Sequence, residues 1–306
     1  MTSDALNGAI AAELPIFIGR PKRLVYFGTP QMAVGPLLAL IDAGFDVAGV
    51  VTGVDKRRGR RAELSPTPVG AAAHERGVPV VHTVGESLAF GADLGVVVAY
   101  GQLISADVLR RLPMVNVHFS LLPRWRGAAP VERALLAGDA TTGVCLMALA
   151  QGLDVGPIYA VEEFPIAIHA TGDSLREALV ELGCRMLVDG LTTGLPAPTA
   201  QCGEHTYAAK ITTIDNQLNW ERSAEELERV VRLGSAFSTF GSKRIRIHSA
   251  TITNDDGVPG TPLGDVVYCG HGALKLVVVQ PEGKPKMNAA DWLRGVRIHE
   301  TDRFGS

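Results

Sequence analysis

The residues best suited to do chemistry in this chain lie in Met114-Val115-Asn116-Val117-His118-Phe119-Ser120. A strand alternates its faces, so Asn116, His118 and Ser120 share one side while Val115, Val117 and Phe119 share the other. Three polar side chains on one face of an apolar strand are costly in a core unless each finds a partner. Asn116 and His118 would have Cα atoms roughly 6.5–7 Å apart, close enough to converge on one small group. The plainer alternative is a hydrogen-bonded core histidine beside a turn-capping asparagine.

His118 has no acid within its own strand. The best local candidate is Asp154, in Gln151-Gly152-Leu153-Asp154-Val155-Gly156, where two glycines leave the carboxylate in a tight loop between strands. A carboxylate there would hold the imidazole in one tautomer; otherwise Asp154 is a turn residue bonding its own backbone. Between these points, Ser120 to Pro130 carries Arg124 and Arg126 around Trp125, which reads as a ligand-clasping loop or as a surface loop pinned by the tryptophan. A further cluster, Lys56, Arg57, Arg58, Arg60 and Arg61, is flanked by Asp55 and Glu63. It is either a solvated loop or a contact for a polyanion, phosphates above all.

Several other chemistries lack their residues. No GxGxxG follows the first strand, which offers only Phe27-Gly28-Thr29-Pro30; GxxxxGK[ST] and GxSxG are also absent. The four cysteines (Cys145, Cys184, Cys202, Cys269) show no CxxC spacing, so no metal site is expected, and a reducing cytoplasm is. A formal net charge of −3 is not that of a protein that coats nucleic acid, and residues 201–306 balance thirteen bases against thirteen acids. Residues 1–22 have the wrong charge order for a secretory signal and are expected to be disordered. No apolar run approaches the ~20 residues that span a bilayer.

The elements that must position these residues alternate. Arg23–Thr29, Asp46–Thr52, Val78–Val81, Asp93–Tyr100 and Met114–Ser120 read as strands, with helices at Gln31–Ala43 and from Thr67-Pro68 to Gly77. That repetition predicts an α/β unit with a parallel sheet covered by helices on both faces, closed by a long helix from Ser174 to about Gly190. Ligands in such sheets sit at the carboxyl ends of the strands, where Asn116 and His118 fall. Residues 195–209 have linker composition, giving domains at 23–194 and 210–306. Beyond the linker, a helix capped by Ser223 and Glu226 precedes short alternating strands at Lys243–Ile252, Leu263–Cys269 and Ala273–Val279. These predict a small β-barrel or sandwich with a closing helix at Ala289–Leu293.

The run VNVHFSLLPRWRGAAP, followed by TTGVCLMALAQGLDVGPIY, closely resembles the folate-dependent formyltransferases. FGTP, SPTPV, VVVAYGQLI, AAKIT and QPEGKPKMNAADWLRG agree in order, so the resemblance covers about residues 23 to 298. It implies a Rossmann-like formyltransferase domain followed by an OB-like β-barrel domain. It further implies transfer of the formyl group of 10-formyltetrahydrofolate to the α-amino group of methionine on initiator tRNA, by a cytoplasmic monomer that needs no metal. By motif, Asn116, His118 and Asp154 match the catalytic trio. Ser120, Leu121, Leu122 and Pro123 match the folate-contacting loop, and the backbone near Tyr100 and Gly101 matches the pterin pocket. Lys56 stands where the family usually has an arginine reaching the tRNA acceptor end, Phe119 where many members have glycine, and Ala150 where an acid is common. A nucleotide-linked amino sugar is the alternative acceptor; a folate-binding protein without activity and a formyltetrahydrofolate hydrolase are the other readings.

Overall fold

The computed structural model describes residues 14–57, 64–296, 299 and 301–305, which form two compact units. The first comprises the chain up to Pro130, Thr141–Pro165 and Arg176–Ala209. Its strands are β1 (Leu24–Gly28), β2 (Val47–Val51), β3 (Lys56–Arg57), β4 (Leu64–Ser65), β5 (Val80–Val81), β6 (Leu94–Val98), β7 (Met114–His118), β8 (Arg126–Gly127), β9 (Thr141–Ala148), β10 (Ile158–Pro165) and β11 (Tyr207–Ala208). The main sheet runs β10-β9-β7-β6-β1-β2-β5. From β7 to β5 every pairing is parallel, as expected.

The sheet nevertheless differs from an all-parallel one, because β9 pairs antiparallel with both β7 and β10. Buried on both sides, β9 reads as a nearly continuous apolar run without the alternation that marks an antiparallel edge. One face of the sheet carries Val25, Phe27, Val51, Val97 and Met114, packed with Val108 and Leu109 of the helix Ala106–Arg111. On the other face the Tyr26 hydroxyl donates to the Ala33 carbonyl at 2.6 Å, beside the helix Val34–Asp42.

Two stretches read as irregular are tied into this unit. Gly19 and Leu195 exchange backbone hydrogen bonds of 2.8 and 2.9 Å, and the amides of Lys22 and Arg23 donate to the Asp93 carboxylate. Residues 14–22 are therefore anchored, while 1–13 lie outside the described residues. Residues 195–209, read as a linker, belong to the first unit: Thr199 bridges to Ile158, and β11 lies parallel to β8. Their prolines and missing periodicity exclude a long element but not single-residue pairing to a sheet edge.

The second unit joins Val131–Ala140 and Ile166–Leu175 to the chain from Lys210 onward. Its strands are β12 (Phe237–Phe240), β13 (Lys243–Thr253), β14 (Pro262–Leu263), β15 (Val266–Tyr268), β16 (Ala273–Pro281) and β17 (Met287–Asn288). All pair antiparallel in the order β12-β13-β16-β15-β14, with β17 added to β16. Among the described residues this path stays open, with β12 and β14 at its ends, so the expected small β domain is present as a sheet without ring-closing pairs. The helix Ala224–Arg232 begins with the expected capping box, Glu226 N donating to Ser223 Oγ at 3.2 Å and Ser223 N to Glu226 Oε2 at 3.1 Å. The tail is anchored through Phe304, whose ring meets those of Phe240 and Trp220 at 4.8 and 5.4 Å. Among the described residues no helix is long and apolar enough to cross a membrane.

Within the second unit, Arg133 of the helix Pro130–Ala137 donates to Asp215 at 2.6 Å, and Asp215 also accepts from the Thr212 amide and hydroxyl. The hydrogen bond from Arg133 and those from Thr212 hold the Asp215 carboxyl down at about 2, from the usual 3.8. A depressed carboxylate stabilises the fold above its unfolded pKa, and the contribution is lost as the pH falls toward the folded value. Asp215→Asn should thus cost about 1.5–3 kcal/mol near neutral pH. In urea titrations its deficit against wild type should close between pH 4 and 2; a deficit independent of pH would contradict this.

Candidate active site

β7 delivers its polar side chains by register. Asn116 faces Met147 and His118 faces Cys145 across the antiparallel pair with β9, so all four share one side of the sheet. Both polar side chains are inside, Asn116 at 8% and His118 at 5% exposure. On the opposite side, Val117 and Phe119 pack against Gly183 of the helix Gly172–Thr193. A Cβ at Gly183 would sit 3.1 Å from Val117 and 3.3 Å from Phe119, so glycine lets the helix lie close on this strand. Phe119 therefore faces the helix and not the polar side.

The chain after β7 folds back over Asn116 and His118. Ser120 Oγ donates to the Arg124 carbonyl at 2.6 Å, closing the turn, and Leu122 packs on Cys145, Met147 and Ile158. Ser120 and Leu122 thus fix the loop with buried side chains. This brings the Trp125 carbonyl to 2.9 Å from His118 Nε2. A carbonyl only accepts, so Nε2 carries the hydrogen of that bond. Two residues on, the Gly127 amide donates to Asp154 Oδ2 at 2.8 Å, and the same oxygen lies 3.6 Å from His118 Nδ1. Gly127 has φ +125°, and a Cβ there would stand 2.8 Å from the Ala208 carbonyl oxygen, so only glycine fits. Asp154 itself is left-handed, at φ +52°. The Asn116 amide has no hydrogen-bond partner among the described residues, which leaves it able to donate to a bound oxygen.

Sequence reasoning missed the group that holds the Asp154 loop. Gln201 Nε2 donates at 2.8 Å to the carbonyls of both Asp154 and Gly156, while its Oε1 accepts from Arg126 Nε at 3.1 Å and Nη2 at 2.8 Å. Gln201 sits in a stretch without periodicity, and its partner Arg126 lies 75 residues away, so nothing local marks it.

Of the remaining predicted residues, Tyr100 buries its ring edge-on to Phe27 at 5.6 Å, and burial pushes its phenol pKa above the usual value. Only the exposed backbone from Gly101 onward, beside the almost fully exposed Leu103, can face a ligand there. This segment follows β6, the neighbour of β7. Lys56 and Arg57 form the short β3 ribbon with β4, after β2 and three strands away from β7 in the sheet. Arg58, Arg60 and Arg61 lie outside the described residues. The structure thus brings Asn116, His118, Ser120 and Asp154 together, and places Tyr100–Gly101 and Lys56–Arg57 on separate loops.

Residues 22–191 match the model of the formyl transferase family, and residues 210–297 match the formyl transferase C-terminal domain. The chain belongs to the formyl transferase family. Its relatives include methionyl-tRNA formyltransferase of Magnetococcus marinus, 38% identical over 92% of this chain and 98% of that protein. The enzyme of the same name from Paramagnetospirillum magneticum is 41% identical over 90% and 97%. The fold is shared with HypX from Aquifex aeolicus in complex with tetrahydrofolic acid, with a TM-score of 0.62 and 18% identity over 89% of this chain and 46% of that one. It is also shared with an N-formyltransferase from Helicobacter canadensis, in complex with folinic acid and dTDP-3-aminofucose, at a TM-score of 0.62 and 16% identity over 83% and 98%.

Within this formyl transferase family member, the Gly127 peptide carries the contact to Asp154. Gly127→Ala should destabilise the first unit by about 1–3 kcal/mol in thermal melts, since the backbone must leave its conformation. A variant with wild-type stability would mean that this close approach is not real.

Proposed function

We propose that the chain transfers the formyl group of 10-formyltetrahydrofolate to the α-amino group of methionyl initiator tRNA, in the cytoplasm. The observation that carries this reading is end-to-end likeness: both units match enzymes named for that acceptor, at 36–41% identity over at least 90% of the chain. The sheet domain would hold donor and chemistry, and residues 210–306 would serve the acceptor.

The chemistry follows from the groups around His118. Attack of the amine on the formyl carbon makes a tetrahedral oxyanion, to which the unpartnered Asn116 amide donates; one such donor is worth about 10²–10³ in rate. The attacking nitrogen becomes cationic and sheds a proton, and the departing folate nitrogen gains one. His118 carries that proton while the Asp154 carboxylate stabilises its charged form, an effect of about 10²–10⁴. The donor would lie along the exposed backbone of Gly101 and Leu103 and the turn formed by Ser120, Leu121, Leu122 and Pro123.

The tRNA acceptor is favoured over an amino sugar by charge on the second unit. Lys243, Arg244 and Arg246 of β13, with Lys284 and Lys286 of the turn between β16 and β17, are exposed, and none pairs with a carboxylate among the described residues. Arg244 lies over the Phe237 ring at 3.7 Å. Arg246 is opposite Gln280, which bonds His248 at 3.1 Å. The net neutrality of residues 201–306 conceals these basic positions, among which the one acid of the turn is Glu282, whose amide donates to the Arg244 carbonyl at 3.0 Å. Lys56, Arg57, Arg58, Arg60 and Arg61, in the first unit's part of the chain, are proposed separately as a tRNA contact.

Two measurements test this. Purified protein should formylate methionyl initiator tRNA far faster than elongator methionyl-tRNA or a nucleotide-linked amino sugar; preference for the sugar would reverse the acceptor assignment, and formate release without acceptor would indicate a hydrolase. Arg244→Ala with Arg246→Ala should reduce the slope of log affinity against log salt for tRNA by about 1–2. An unchanged slope would remove that face from the contact.

A further inference from the structure

We infer that Gln201 is a positioning residue for formyl transfer, acting through Asp154; this rests on the reading of His118 and Asp154 as the proton-handling pair. His118 touches two chain segments, the 125–127 turn through the Trp125 carbonyl and the 151–156 loop through Asp154. Gln201 comes from a third and bridges both: its oxygen is held by Arg126 of the turn, and its nitrogen holds the carbonyls of Asp154 and Gly156.

The Gly127 amide fixes the Asp154 side chain, and Gln201 fixes the backbone of the loop that carries it. Residues 151–153 are exposed, and Asp154 lies in the left-handed region, which an aspartate can adopt. Arg126 is 9% exposed and forms no ion pair among the described residues, so its charge rests on the Gln201 oxygen. A cation on the oxygen polarises the amide and strengthens what its N–H groups donate. Glutamine alone satisfies both sides at this length, since glutamate offers the oxygen without the N–H groups and lysine the reverse.

Gln201→Glu separates the two roles. The carboxylate still accepts from Arg126, so the buried cation stays satisfied and the fold is retained. Both donors to the Asp154 loop are lost, and an oxygen instead faces two carbonyls. The expected result is a melting temperature a few degrees below wild type with cooperative unfolding retained, an unchanged KM for 10-formyltetrahydrofolate and for the acceptor, and kcat lower by about 10–100-fold, the cost of a misplacement near 1 Å.

A double-mutant cycle supplies the decisive readout. In an Asp154→Asn background, Gln201→Glu should lower kcat by less than about 3-fold, because the group it positions is already disabled. The same 10–100-fold loss in both backgrounds, or a loss confined to KM, would overturn the inference. If Gln201→Glu unfolds, Gln201→Leu combined with Arg126→Leu replaces it in the cycle, removing donor and cation together. The assay uses whichever acceptor wild type formylates, so a wrong acceptor shows in wild type alone, and failure of the positioning role shows only in the cycle.

Discussion

Three consecutive residues hold the site together. The Trp125 carbonyl takes the hydrogen of His118 Nε2, and the Gly127 amide takes the Asp154 carboxylate that stands at Nδ1. A histidine and an aspartate from separate parts of the chain are thus fixed against one short turn. Moving that turn by an ångström would disturb both at once. Most of the first unit can be understood as what keeps residues 125–127 where they are.

The turn is held from both sides. Thr206 accepts from the Trp125 amide with its hydroxyl and from the Arg126 amide with its carbonyl, and the close pass of Gly127 by Ala208 admits no side chain. Beneath it, β7 and β9 align His118 with Cys145, and Leu122 seals the strand pair. From the far side, Gly183 lets a helix rest directly on Val117 and Phe119, so the strand bearing the polar groups is packed on both faces. Dense packing of this kind lets a few polar groups keep fixed directions without a large network of their own. Burial of His118 and Asp154 also keeps their interaction less screened by water than a surface pair would be.

Much of this was legible from periodicity. Alternation in 114–120 placed Asn116 and His118 together, the paired glycines marked Asp154 as a tight-loop residue, and Ser223 with Glu226 marked a helix start. Three things were not. The antiparallel course of β9 was hidden because a central strand is apolar throughout, whichever way it runs. Gln201 and the pairing of residues 195–209 were hidden because single bridges to a sheet edge leave no period. The cationic face of β13 was hidden by summing charge over a whole domain, when alternation sends Arg244 and Arg246 out and Ile245 and Ile247 in. Phe119, which stands where many family members have glycine, packs against Gly183 on the face opposite the polar groups, as alternation placed it.

The claim on which the rest depends is that His118 and Asp154 act as one unit. Single-turnover formyl transfer, with donor and acceptor saturating, tests it directly across wild type, His118→Ala, Asp154→Ala and the double variant. Each single change should slow the chemical step by about 10²–10⁴, and the double variant should be hardly slower than His118→Ala alone. Losses that multiply in the double variant would mean that the two residues contribute separately, and that the turn at 125–127 does not unite them.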